Sequence, residues 1–298
     1  QVRRYKHKQG HYVWMDVNAS SIKNADGEAK FLINHFQDIS ERVQTEYLQE
    51  AQRKILEDIV AGVSQEELLI KLCNLFEPYA PDGALTSILL LNPKDKRLYV
   101  SAAPHMPAGM RKALKGFETG ENRASCGTAV QRGETVIVED TRTSPLWKDF
   151  KEFAEKHGIK AAWSRPFFSK EGDVVGTFAI AFPRVTAPSK YDLERLKTAG
   201  YLASIIIEKV RSETELRESE ARFRSAFGNA PMGTALVDRA GVVIQANSRS
   251  TNIIGFTPAE IIGKSIADVT HPDDVEDSLR HFKALMSGQV ESYQLEKQ

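Results

Sequence analysis

Two cysteines and seven histidines hold most of this chain's capacity for covalent, redox or metal chemistry. Cys126 stands in Ser125-Cys126-Gly127-Thr128-Ala129 at the head of a helical stretch, where a helix N-terminus lowers a thiol's pKa. That placement suits a thiolate sensor or the anchor of a covalently held tetrapyrrole. The competing role is structural, because cysteine packs as a small buried hydrophobe, and it is the preferred one. Cys73 lies far away on an apolar helix face, so the two cysteines form neither a CxxC pair nor a disulfide framework. His7, His11, His35, His105, His157, His271 and His281 are scattered, and no two stand at the spacing of metal ligands on one helical face with a third donor nearby. No metal site is expected. Trp147, Trp163, Phe178 and Arg165 suit a small-molecule pocket, in which aromatic walls surround a few polar groups. Ordinary core packing, with Arg165 paired to a carboxylate such as Asp140, explains the same residues equally well. No Gly-x-Ser-x-Gly elbow, Walker loop or cleft-framed carboxylate pair is present, so binding rather than bond-making is expected of this segment.

The elements that must position these residues are legible as periodicities. Tyr12 to Ala19 alternates with period two, Asn24 to Gly27 supplies a turn, and Phe31 to Phe36 returns, predicting a hairpin. After Asp38-Ile39-Ser40-Glu41-Arg42 the pattern becomes helical through Leu48, Ala51, Ile55 and Ile59. Ser64 followed by Glu66 and Glu67 predicts a capped helix ended by Pro78. Strands are expected at Ala84 to Leu91, Leu98 to Ala103, Thr135 to Glu139, Ala161 to Phe168 and Val174 to Phe182. Helices at Met106 to Leu114, Cys126 to Arg132, Lys148 to His157 and Ser189 to Val210 intervene. This is an α+β arrangement of antiparallel hairpins with helices on one face. The last helix continues to Arg222, and its heptad positions (Leu202, Lys209, Leu216, Phe223; Ile206, Glu213, Glu220, Phe227) form an impure seam, compatible with a two-helix dimer contact or a solvated connector. Strands at Gly233 to Asp238 and Val242 to Ala246 follow. Asn247 and Thr257-Pro258-Ala259-Glu260 are placed to start helices.

Composition excludes several classes. Lys plus Arg and Asp plus Glu number 40 each in 298 residues, so no bulk attraction to nucleic acid or anionic lipid exists. The longest apolar runs, such as Ser87 to Leu91, are far shorter than the ~18 residues of a membrane span. The cysteine usage fits a reducing cytoplasm. Gln1 with no signal-peptide pattern suggests a cut within a longer chain. Glu291 to Gln298 reads like the lead-in to Gln1 to Gly10, so the chain is expected to begin and end inside two copies of one kind of domain.

Three segments resemble known families. Residues 223–298 resemble the N-terminal half of a PAS domain through Phe223, Phe227, Ala230-Pro231, Asp238, Gly241, Asn247, Gly255-Phe256, Gly263 and His271-Pro272-Asp273-Asp274. Residues 1–45 are similar to the C-terminal PAS hairpin, ending in Asp38-Ile39-Ser40-Glu41-Arg42 where that family typically shows Asp-Ile-Thr-Glu-Arg. The resemblance implies that this motif couples sheet to helix, and the strands flanking Asp38 or Asp238 are expected to carry the two-state change. Residues 64–211 are similar to GAF domains through Ser125 to Ala129, Val138-Glu139-Asp140, Pro145-Leu146-Trp147, Trp163-Ser164-Arg165-Pro166 and Gly172 to Phe178, with helical linkers at 46–63 and 212–222. Neither the Cys-His pair of bilin attachment nor the Asn-Lys-Phe-Asp-Glu pattern of cyclic-nucleotide binding is present.

The implied fold is a set of antiparallel-sheet, profilin-like modules joined by signalling helices. The implied function is sensing and relay within a larger protein, first a sensor histidine kinase, with a diguanylate cyclase or cyclic-di-GMP phosphodiesterase as alternative. The implied partners are a small-molecule ligand, a second copy of the chain through the linker helices, and a downstream output domain or response regulator. Haem through His271 or His281, or flavin, are the cofactors a PAS unit admits, although capping or surface roles suit both histidines better. Cys-based flavin photochemistry is excluded, because residues 223–298 hold no Cys. An enzyme alternative, a thiol redox catalyst on the GAF unit, requires Cys73 as resolving thiol.

Overall fold

In the computed structural model, residues 2–8, 12–77 and 83–296 are described. The chain divides into two compact units, Gln1–Arg211 and Ser212–Gln298. The first begins with a three-stranded antiparallel sheet of β1 (Val2–Lys6), β2 (Tyr12–Lys23) and β3 (Ala29–Asp38), with β2 in the middle. The expected turn is there: Asn24 Oδ1 accepts from the backbone N–H groups of Asp26 (3.1 Å) and Glu28 (2.8 Å), and Gly27 takes φ 86°. β1 carries no alternation and was not anticipated as a strand. Tyr12, Phe31, Leu32 and Phe36 stay exposed, so this sheet has no packed face of its own among the described residues.

β3 leads into α1 (Ser40–Val60), and α2 (Gln65–Phe76) opens on Ser64, whose hydroxyl accepts from Glu67 N at 3.3 Å. Pro78, expected to end α2, lies outside the described residues. A second, six-stranded antiparallel sheet follows, made of β4 (Leu85–Leu91), β5 (Arg97–Ala102), β6 (Phe117–Glu118), β7 (Val136–Val138), β8 (Ala161–Phe168) and β9 (Val174–Phe182) in the order β6-β5-β4-β9-β8-β7. α3 (Ala108–Ala113), α4 (Ala124–Arg132), a 3-10 turn (Pro145–Phe150) and α5 (Lys151–His157) interrupt it. α6 (Lys190–Gly228) closes the unit and runs on.

Helices cover both faces of this sheet, not one as the sequence suggested. One core holds Ile55, Leu72, Phe76, Leu196, Leu202 and Ile206 from α1, α2 and α6 against Trp163, Phe178 and Phe182. The other holds Met106, Met110, Ala129, Trp147 and Ala154 against Val136, Val138 and Ala162. The reason is visible in β4, where the successive residues Ile88 and Leu89 point to opposite faces and are both fully buried. Leu202 and Ile206 are likewise fully buried in this core and are not free to form a seam. Of the expected heptad positions, Leu216 and Phe223 are exposed.

The second unit contains β10 (Ala235–Val237) and β11 (Val243–Ala246), then α7 (Ser248–Ile254), α8 (Pro258–Ile261) and α9 (Val275–Met286). Asp238 Oδ1 accepts from Ala240 N and Val242 N, both at 2.9 Å, and so shapes the β10–β11 turn. Thr257 donates through N and Oγ1 to Glu260 Oε2, both at 2.8 Å, at the start of α8. Among the described residues, no helix is long and apolar enough to cross a membrane.

Candidate ligand cavity

β8 and β9 alternate in size as well as polarity. Paired across the two strands, Trp163 faces the same side as Ile180, and Arg165 the same side as Phe178; Ala162 shares the other side with Ala181, and Ser164 with Ala179. The bulky side packs against α1, α2 and α6. The small side, joined by Ser87 of β4, leaves a cavity of about 50 Å³ roofed by Met106, Met110, Trp147 and Phe150. Close backbone approaches shape its surroundings. A Cβ on Gly127 would stand 2.5 Å from Glu118 O, so only glycine lets α4 lie against β6; one on Gly176 would stand 2.4 Å from Leu89 O. Ala124, which also lines the cavity, is held at φ 49°, a left-handed backbone that costs an alanine roughly 1–2 kcal/mol.

The cavity's polar groups are few. Ser125 Oγ donates to Ala162 O (3.1 Å) and accepts from Trp147 Nε1 (3.0 Å), which fixes the roof to the floor. Cys126 Sγ lies 3.2 Å from Ser164 Oγ. Thr177 Oγ1, fully buried beside the same sulfur, makes no hydrogen bond of good geometry. Burial pushes the Cys126 thiol up, and this outweighs the lowering by the neighbouring hydroxyls, so the group stays protonated near neutral pH rather than becoming the thiolate a helix N-terminus promotes.

The structure thus brings Cys126 and Trp147 together at the cavity and places Trp163, Arg165 and Phe178 on the opposite face. The correction follows from strand geometry: odd-numbered β8 residues and even-numbered β9 residues share the helical core. Arg165 pairs with neither Asp140 nor another carboxylate; its Nη1 donates to Thr135 Oγ1 at 2.8 Å, and its stem lies against Gly200 of α6. Cys73 belongs to the core on the other side of the sheet, its thiol pushed up to about 12 by burial.

Asp140 instead holds Arg142, whose Nη2 lies 2.7 Å from Oδ2, and this guanidinium with the Arg142 N–H lowers the carboxyl to about 2. Because the folded-state value lies below the ordinary ~3.9 of an unfolded aspartate, the pair's contribution is complete above about pH 4 and disappears as pH falls through 2. Arg142→Ala is expected to return Asp140 toward the ordinary range, read from its carboxyl carbon by NMR; an unchanged midpoint would refute the assignment.

The residues expected to couple sheet to helix form a junction. Ile39 N donates to Trp14 O at 2.9 Å, Ser40 Oγ accepts from Trp14 N at 3.0 Å, and Asp38 Oδ1 accepts from Ser40 N at 2.8 Å; this backbone N–H, followed by the Ser40 hydroxyl, lowers the Asp38 pKa. Glu41 and Arg42 are exposed on the first turn of α1, outside that junction. α1 meets α6 through Arg195 Nε and Gln44 Oε1 at 3.1 Å. His271 Nδ1 accepts from Asp273 N at 3.4 Å, a capping role, and the His281 ring lies against Tyr293.

Residues 62–208, a curled antiparallel sheet layered between helices with a cavity on one face, match the GAF domain. Residues 3–41 match the PAS domain and residues 227–297 the PAS fold, so the chain is a PAS-GAF-PAS array. The methyl sulfide methyltransferase-associated sensor of Methanosarcina acetivorans is 31% identical over 281 residues, covering 93% of this chain and 28% of its own length. The probable diguanylate cyclase DgcE of Escherichia coli is 29% identical over 32% of this chain and 9% of its own. Sporulation kinase E of Bacillus subtilis is 33% identical over 24% of this chain and 10% of its own. The chain therefore spans less than a third of each of these relatives. A GAF sensor structure from Burkholderia vietnamiensis, described as putative, superposes with TM-score 0.46 at 14% identity, over 56% of this chain and 98% of that one.

Proposed function

We propose that this chain is the sensory and relay part of a cytoplasmic sensor histidine kinase, in which the GAF cavity receives a small ligand and the helices at 46–63 and 212–222 carry the response. The observation that supports this most is the shared floor: Ser164 and Ala179 border the cavity while their neighbours Arg165 and Phe178 touch the helical layer behind. A ligand that prefers one packing of the floor biases the packing of α6 through Arg165 and Gly200, which is the differential contact a two-state relay requires. The exposed Leu216 and Phe223 supply a contact for a second copy, and a response regulator is the downstream partner. The likeness to a diguanylate cyclase keeps a cyclic-di-nucleotide output as second reading. A thiol redox enzyme is disfavoured, because Cys73 and Cys126 belong to opposite faces of the sheet.

Ala179→Leu fills the cavity from its floor. It is expected to shift the backbone amide signals of α6 around Gly200 while leaving β1–β3 unmoved, and to change ATP-dependent autophosphorylation severalfold in the protein that contains this chain. Unmoved α6 signals would sink the relay, and synthesis of a cyclic di-nucleotide in place of autophosphorylation would replace the kinase.

A further inference from the structure

The cavity's contents are constrained by what surrounds it. None of its lining residues carries a charge, so a charged ligand would be desolvated there without compensation. Its volume of about 50 Å³ is roughly a third of the ~150 Å³ engineered cavity that admits benzene. Both hydrogen-bonding directions of Ser125 are already used within the protein. At the other end, Ser164 and the Cys126 thiol line the cavity and Thr177 stands behind them beside the same sulfur, and the contact between Ser164 and Cys126 uses one of their three protons. Thr177 Oγ1, fully buried, makes no good hydrogen bond, and buried hydroxyls left so are costly. Each of these hydroxyls can donate or accept, so this end of the cavity offers a ligand a hydrogen bond in either direction.

We infer that the ligand of this GAF cavity is an uncharged molecule of only a few heavy atoms, with an apolar body toward Met106 and Met110 and one hydrogen-bonding group toward Ser164, Thr177 and Cys126. The inference rests on the cavity being the sensory site. It excludes nucleotides, amino acids and carboxylates as occupants of the cavity, and selects small neutral molecules with one polar group, such as ketones, ethers and alcohols.

The chain's own methionines allow a direct test. Of five, Met106 and Met110 line the cavity, whereas Met15, Met232 and Met286 do not and serve as internal references. With 13C-labelled methionine methyls in the 298-residue chain, acetone and xenon are both expected to move the Met106 and Met110 signals, and acetate to leave them in place. Ser164→Ala is expected to weaken acetone about fivefold without weakening xenon, the loss of one ordinary hydrogen bond. Thr177→Val serves as a second variant with the same expectation. Acetone binding that neither variant weakens would overturn the hydrogen-bonding end, and acetate binding as tightly as acetone would overturn the neutral class. If neither xenon nor acetone moves Met106 or Met110, the sensory role of the cavity falls as well, an outcome distinct from the other two.

Discussion

Replacing Trp147 by alanine should destabilise the first unit by about 3–5 kcal/mol, the range for truncating a buried large aromatic. The ring is 5% exposed, packs edge-on against Phe150 with centroids 6.4 Å apart, and roofs the cavity. Its Nε1–H also ties the 3-10 turn to Ser125, which in turn holds Ala162 of β8. Truncation therefore removes apolar contact and the one side-chain link from roof to floor described above. Trp147→Phe separates the two contributions: it keeps most of the apolar contact and loses the hydrogen bond, so about 1–2 kcal/mol is expected. Hydrogen exchange of the most protected amides in β4, β8 and β9 measures both. A loss below 1 kcal/mol for the alanine variant would show that the roof is not packed as described.

Asn247→Ala should cost the second unit about 3 kcal/mol or more. Asn247 is 3% exposed and its amide is fully used: Oδ1 accepts from Thr234 N (3.0 Å) and Ser250 N (2.7 Å), and Nδ2 donates to Phe227 O (3.1 Å) and Met232 O (3.0 Å). One residue thus caps α7, fixes the start of β10 and receives the end of α6. Removing a cap alone costs about 1 kcal/mol, and the buried backbone groups left without partners add to it. Asn247→Asp keeps both acceptances and loses both donations, so it should fall between wild type and alanine. Hydrogen exchange across β10, β11 and α7 is the appropriate measurement, because a chain of two units has no single unfolding free energy. Unchanged protection there would refute the role.

Much of this was legible beforehand. Caps and turns are written in a few adjacent residues, so Ser64, Asn247 and the turn at Asp238 were readable, as were the period-two strand β2 and the β-rich runs of β4, β8 and β9. β6 was not, since two residues carry no period, and Phe117–Glu118 is strand only because β5 lies beside it. The second helical layer was missed because a strand buried on both faces reads as a plain apolar run. The cavity was missed for a different reason. Sequence reasoning singled out the largest side chains, Trp163, Arg165 and Phe178, and these fill the opposite face. A cavity is bordered by what is small, and the signal was present as the large-small rhythm of Phe178-Ala179-Ile180-Ala181-Phe182. Leu202 and Ile206 misled in the same way, because heptad spacing does not reveal that a sheet already occupies the apolar face of α6.

That rhythm has a further consequence for how such a receptor can diversify. Ala162, Ser164, Ala179 and Ala181 set the room available to a guest, while their immediate neighbours in sequence bear the mechanical burden of the module. Adding or deleting a methyl group at the first set changes what fits without disturbing the second. In the proposed receptor, chemical preference would therefore drift by single substitutions within an inherited frame, and the helices behind the sheet would report whichever compound the new lining admits.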